Sequence, residues 1–185
     1  MTDIYLVDDH TLMRDGLRAV LEDAGHRVVG DCDDPTRALA ELQALQPQVL
    51  LLDLNLGLRS GFELLDRMQQ RKLRIRTIVL TMSEQPRDLA EALRLGAAGY
   101  LLKGSPASEV LAAVRVVCSG ERYLAAQVNA IARRAEDDNN GTTGLGDNTR
   151  VSKDSLRVHA MGDVDELNSH IGVLLCEDMP ADVRE

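Results

Sequence analysis

Five short apolar runs rich in β-branched residues recur at "IYLVD" (4–8), "RVVGD" (27–31), "VLLLD" (49–53), "TIVLT" (77–81) and "GYLLK" (99–103), with helical patterns between them. Parallel neighbours in a sheet need long crossovers, and helices supply them, so this alternation argues for a parallel sheet covered on both faces. The expected product is a five-stranded, doubly wound α/β domain. Local signals mark the helix ends. Met13, Leu17, Val20, Leu21 and Ala24 share one stripe that Gly25 should terminate, Asp34–Pro35 reads as a cap and first turn, Ser60 with Glu63 as a capping box, and Ser105–Pro106 as the opening of the last helix.

Composition limits what surrounds this sheet. A chain of 185 residues, 44% hydrophobic, can bury one ordinary core with a small appendage. Only 2% is aromatic and there is no Trp, so the core is aliphatic and a base-stacking nucleic-acid surface is not expected. Cys32, Cys118 and Cys176 are odd in number, widely spaced and read as reduced thiols. No apolar run is long enough to cross a bilayer, and the amino terminus lacks the features of a signal peptide, so a cytoplasmic location is expected.

Ligands of open α/β sheets bind outside the carboxyl ends of the strands. Reading off those ends gives Asp8 and Asp9, then Asp53, Thr81 and Lys103, three carboxylates, a hydroxyl and an ammonium on one rim. Adjacent carboxylates stay ionised beside a hard divalent cation, and Mg²⁺ takes a few oxygen ligands while keeping some of its waters. Asp8, Asp9 and Asp53 suit it. With their charge offset, a phosphoryl group can approach Asp53 as nucleophile, with Lys103 and the Thr81 hydroxyl available to its oxygens.

The motifs "LVDDH", "VLLLDLNL", "IVLTM" and "AAGYLLKGS" resemble the receiver domain of two-component response regulators over residues 1 to about 130. Their detailed wording is similar to the NarL/FixJ-type subfamily. The resemblance implies a flavodoxin-like fold, Asp53 as phosphoacceptor, and Asp8 and Asp9 as Mg²⁺ ligands with the Asn55 backbone carbonyl. It further implies Thr81 and Lys103 as sensors of the phosphoryl group, Tyr100 as an aromatic switch, a sensor histidine kinase as partner and a transient homodimer. Repacking around the fourth helix and the last of the five strands would carry the signal. Two departures stand out. The prolines many receivers carry after the acceptor and after the lysine are replaced by "DLNLGLRSG" and "KGS", and Met82 is larger than the usual residue after the threonine, which is expected to narrow access to Asp53.

Beyond this region the chain changes character. Residues 136–185 hold 12 acidic and 4 basic side chains, where the subfamily usually continues into a basic helix-turn-helix domain. Direct DNA binding is therefore not expected, because a phosphate backbone would be repelled; a DNA-binding transcriptional regulator is the alternative. "TTGLGD", "RVSK" and "VDELNS" instead resemble the amino-terminal ATP-binding stretch of cobalamin adenosyltransferases. Gly141, Thr142 and Thr143, with Gly144 and Gly146, form a glycine-rich stretch suited to phosphates, and Lys153 supplies a point charge. Val164, Leu167, Ile171 and Leu174 share one helical face. The usual Thr-Gly-Asp element before the glycines reads "AEDDNNG", and the matching stretch stops short of the family's remaining helices. Adenosyltransferase activity is accordingly not expected. The expected organisation is a receiver at 1–130, an acidic linker at 131–140 and a partial adenosyltransferase-like segment at 141–185, a partly helical or disordered appendage that reads as a fusion.

Overall fold

The computed structural model describes residues 1–129. The glycine-rich stretch with Gly141, Thr142, Thr143 and Lys153, the helix expected around 164–174, and Cys176 lie outside the described residues.

The elements run β1 (Asp3–Val7), α1 (Thr11–Asp23), β2 (Arg27–Cys32), α2 (Pro35–Leu45), β3 (Val49–Leu52), β4 (Asn55–Leu56), β5 (Arg59–Ser60), α3 (Gly61–Gln70), β6 (Arg76–Thr81), α4 (Pro86–Arg94), β7 (Gly99–Leu102), α5 (Ala107–Ser119) and β8 (Tyr123–Leu124). The main sheet is parallel throughout, in the order β2-β1-β3-β6-β7-β8. It has six strands where five were expected. The sixth, β8, pairs only Tyr123 and Leu124 with β7 and has no apolar run of its own to announce it.

The strands behave as a sheet covered on both faces should. Ile4, Tyr5, Leu6 and Val7, Val49 to Leu52, and Ile78 to Leu80 are all buried. One irregularity is local. Ile4 pairs with Val28 but Tyr5 with Gly30, so the register slips past Val29. A side chain at Gly30 would meet the Tyr5 ring, and the Tyr5 hydroxyl donates to Glu41 Oε2 at 2.6 Å. Glycine here lets the ring lie against the backbone of β2.

Helix ends mostly follow their signals. Asp34 accepts from the N–H groups of Thr36 and Arg37 and caps α2, and Ser60 accepts from Phe62 N to cap α3. Gly25 closes α1 with His26 N bonded to Leu21 O and its own N–H to Glu22 O. The Ser105–Pro106 pair opens α5 as expected, with Pro106 as the cap residue, and the buried Ser105 Oγ has no partner among the described residues. In the α1 stripe Leu21 is buried, Met13, Leu17 and Val20 are half-buried and Ala24 is exposed. Cys32 is buried and Cys118 exposed, and both are free thiols. Among the described residues, no helix is long and apolar enough to cross a membrane.

Candidate functional site

Sheet order decides where the acidic residues meet. β1 and β3 are neighbours, but the chain runs from β1 to β2 on one side and from β3 on to β6 on the other, so the two connections leave in opposite directions and a crevice opens beyond the ends of β1 and β3. Asp8 and Asp9 follow β1, and Asp53 follows β3. Asp53 N donates to Val7 O at 2.8 Å, which extends the pairing of the two strands to the acid itself.

Lys103 follows β7 and reaches into this crevice. Its Nζ lies 2.6 Å from Asp53 Oδ2 and 2.8 Å from Asp8 Oδ2, with the three side chains 6%, 2% and 5% exposed. Burial pulls the ammonium pKa down, but the hydrogen bonds and charges of Asp53 and Asp8 outweigh it, and the net shift is upward. Lys103 thus stays cationic throughout the physiological range. Asp53 Oδ1 accepts from Asn55 N at 3.1 Å, and Asp8 Oδ1 from His10 N at 2.8 Å.

Asp9 completes the acidic wall. Asp8, Asp9, His10 and Asp53 each offer one ligand atom, and these atoms all lie within 4.8 Å of one another. Three carboxylates against one ammonium leave an excess of negative charge that hard, oxygen-seeking cations offset, so the donor set fits Mg²⁺.

Thr81 and Tyr100 border the same rim through a shared neighbour. Thr81 is fully buried, its Oγ1 accepts from Ser83 N at 3.3 Å, and its carbonyl accepts from Lys103 N at 2.9 Å. The Tyr100 ring is buried and its hydroxyl donates to Ser83 O at 3.2 Å. Burial and the nearby Asp88 raise the pKa of that hydroxyl, so it remains a donor. Met82 is 71% exposed and projects into solvent.

The response regulator receiver domain model matches residues 4–115, more than half of the chain. The chain belongs to the response regulator receiver family. It is 31% identical to the nitrate/nitrite response regulator protein NarL of Escherichia coli K12, over 86% of this chain and 75% of that protein. It is 36% identical to NarP of the same strain, over 72% and 62%. Among solved structures it resembles a LuxR-family two-component response regulator from Aurantimonas sp. SI85-9A1, with TM-score 0.69, 28% identity, and 74% of this chain and 99% of that one covered. It also resembles the isolated receiver domain of RcsB from Salmonella enterica serovar Typhimurium with phosphomimetic BeF3-, with TM-score 0.65, 26% identity, and 70% and 97% covered. A second model, cobalamin adenosyltransferase, matches residues 131–185 and so takes in the stretch read as a linker.

Within the receiver, three residues with a part in the site escaped the sequence reading. Arg14, on α1, donates from Nη1 to Asp8 O at 2.5 Å and from Nε to Asp31 Oδ1 at 2.9 Å, tying the end of β1 to β2. Arg59, on the β4–β5 hairpin, donates to Asp34 Oδ2 at 2.6 Å and Thr36 Oγ1 at 3.2 Å, fastening the segment after Asp53 to the start of α2. His10 caps α1 by position but makes no side-chain capping bond; its Nδ1 lies 2.6 Å from Asp9 Oδ1. The hairpin had a signal: Gly57–Leu58 is a two-residue turn with Gly57 at φ +65 in the first central position. Arg14 and Arg59 had none, since each acts across elements distant in sequence.

Proposed function

We propose that this chain is a phosphorelay response regulator whose Asp53 accepts a phosphoryl group from a phosphohistidine of a sensor histidine kinase. The observation that supports the assignment best is the Lys103 ammonium bridging Asp53 and Asp8 in a buried pocket. In the transfer the N–P bond of the donor breaks and an O–P bond forms on Asp53, giving an acyl phosphate. Asp8, Asp9 and Asp53, with the Asn55 carbonyl, would hold Mg²⁺. Bound there, the cation supplies positive charge that lets an anionic phosphoryl group approach the carboxylates.

Lys103 is preorganised for the product. Its ammonium already touches the acceptor, so a phosphoryl oxygen can replace a carboxylate oxygen as its partner with little reorganisation. The modification adds about two negative charges at neutral pH. To reach them, the Thr81 hydroxyl gives up its bond from Ser83 N, and Ser83 also carries the contact to Tyr100. Phosphorylation at Asp53 is thereby felt at the start of α4 and at β7, where a changed surface alters affinity for a partner or a second copy.

The chain then divides into a receiver at 1–130, a linker at 131–140 and an adenosyltransferase-like segment at 141–185, with protein contacts rather than DNA as output. The test is the intact mass of the whole protein after incubation with acetyl phosphate, with Mg²⁺ and with a chelator. One base-labile phosphoryl adduct that requires the cation is expected; an adduct equally abundant in chelator would contradict the role given to Asp8 and Asp9.

A further inference from the structure

We infer that Asp88, in the first turn of α4, is a positioning residue that restrains phosphorylation: its carboxylate latches Ser83, and Ser83 in turn holds both the Thr81 hydroxyl and the Tyr100 ring. This role rests on Asp53 being the phosphoacceptor and adds a residue that sets how readily the site responds.

The start of α4 is built around one hydroxyl. Gln85 occupies the cap position without a side-chain bond, and Pro86 follows it. A carboxyl or amide side chain three residues after the cap ordinarily reaches back to the cap residue's own N–H. Asp88 stands at that place, but its Oδ2 accepts from the Ser83 hydroxyl, and Ser83 Oγ in turn accepts from Gln85 N at 3.3 Å. The Ser83 hydroxyl is thus inserted into the capping arrangement, and it draws the segment after β6 onto the helix.

Ser83 ties three elements together. Its N–H donates to Thr81 Oγ1 at 3.3 Å, at the end of β6, and its carbonyl accepts from the Tyr100 hydroxyl of β7 at 3.2 Å. Its own hydroxyl completes the junction with α4. A charged acceptor makes the bond to Asp88 the strongest of the set. Competition for that carboxylate is weak. Its nearest cation among the described residues is Arg87, with Nε 3.9 Å from Oδ1 on a side chain 84% exposed.

The latch opposes the switched arrangement. Thr81 turns to a phosphoryl oxygen only by giving up the Ser83 N–H, and the Tyr100 ring leaves only by giving up the Ser83 carbonyl. Both losses are larger while Asp88 keeps Ser83 in place. Burial and then the charge of Asp88 raise the pKa of the Tyr100 hydroxyl, so the carboxylate also lies within electrostatic reach of the ring. Loss of one hydrogen bond of ordinary net strength shifts a two-state equilibrium by roughly threefold to tenfold.

The experiment uses the full chain carrying 3-fluorotyrosine and reads ¹⁹F resonances, with folding checked by circular dichroism. Ser83→Ala and Asp88→Ala are compared with wild type and with Asp88→Asn, whose amide oxygen can still accept from the Ser83 hydroxyl. Tyr100→Phe identifies the Tyr100 signal against those of Tyr5 and Tyr123. Without a phosphodonor, the Tyr100 signal should move in both alanine variants and keep its wild-type position in Asp88→Asn. With Mg²⁺ and acetyl phosphate, the alanine variants should form the Asp53 adduct about threefold or more faster than wild type, whereas a merely damaged site would slow it. An unmoved Tyr100 signal in the folded alanine variants, or adduct formation no faster than in wild type, would overturn the inference and leave Asp53 as acceptor. A wild type that forms no adduct at Asp53 would overturn the acceptor assignment and with it the restraint ascribed to Asp88.

Discussion

The two ends of the sheet carry opposite charge and handle it differently. At the carboxyl ends, Asp8, Asp53 and Lys103 are buried together with side-chain exposures of 6% or less. At the amino ends, Arg74, Arg76 and Arg122, with Glu121, line an open cleft of about 350 Å³ beside Gly96 and Gly120, where α4 and α5 finish. The orientation of the helices accounts for the sorting. In a parallel α/β fold every helix returns with its amino terminus toward the carboxyl ends of the strands, so its positive end faces the acids and its negative end faces the arginines. Burial accounts for the rest. Charges in water interact weakly, whereas buried ones must be paired and so fix a geometry. Holding three charged groups together at one rim is therefore where this fold commits its stability.

The largest expected effect comes from removing the shared cation. Lys103→Met leaves two buried carboxylates facing one another and should destabilise the protein by about 3 to 5 kcal/mol in urea titrations, with part of the loss recovered in Mg²⁺. Because the folded-state pKa of Lys103 is raised, its contribution is fully present below the ordinary lysine value and is lost only as pH rises through the folded value. The difference between wild type and Lys103→Met should therefore carry no lysine titration between pH 6 and 9 on a lysine pKa of about 10.4.

Gly61→Ala tests whether the backbone beneath Asp53 is equally constrained. An added Cβ would lie 2.3 Å from Asp53 O and 2.9 Å from Leu54 Cα, backbone atoms that cannot step aside as a flexible side chain would. A loss of about 2 to 3 kcal/mol in the same titrations is expected.

At the opposite rim, effects should be smaller and of another kind. The pKa of His26 is lowered by burial, then by the charges of the amino terminus and Arg115, and its Nδ1 has no partner among the described residues. The unfolded chain binds its proton more readily, so the stability that neutral His26 contributes is present above the ordinary histidine value and is lost as pH falls through the folded value. Melting temperatures of His26→Gln should decline less steeply than wild type from pH 7 to 5. Arg27→Ala, which removes an ion pair to Asp3 from a side chain 59% exposed, should leave the melting temperature unchanged within error. A large loss there would contradict the weak coupling expected of exposed charges.

Much of the fold was legible because burial on both faces writes each long parallel strand as an apolar run, and the residue ending each run is the one delivered to the rim. Asp8, Asp53, Thr81 and Lys103 were found in this way. What escaped was short or depended on distant partners. β8 is two residues long and takes its pairing from β7, while β4 and β5 take theirs from one turn at Gly57. The Ser105–Pro106 pair marked the opening of α5, with Pro106 taking the cap position. The contact of the His10 ring with Asp9 had no signal in the sequence, because only three-dimensional proximity reveals it.

The central claim is that Asp53 is the phosphoacceptor, and borohydride trapping tests it most directly. Reduction of the acyl phosphate formed with acetyl phosphate and Mg²⁺ converts the modified aspartate to homoserine, which peptide mass spectrometry locates. Homoserine at position 53 in wild type, and none in Asp53→Asn, is the result this account predicts. Homoserine at position 8 or 9, or unchanged labelling of the variant, would contradict it.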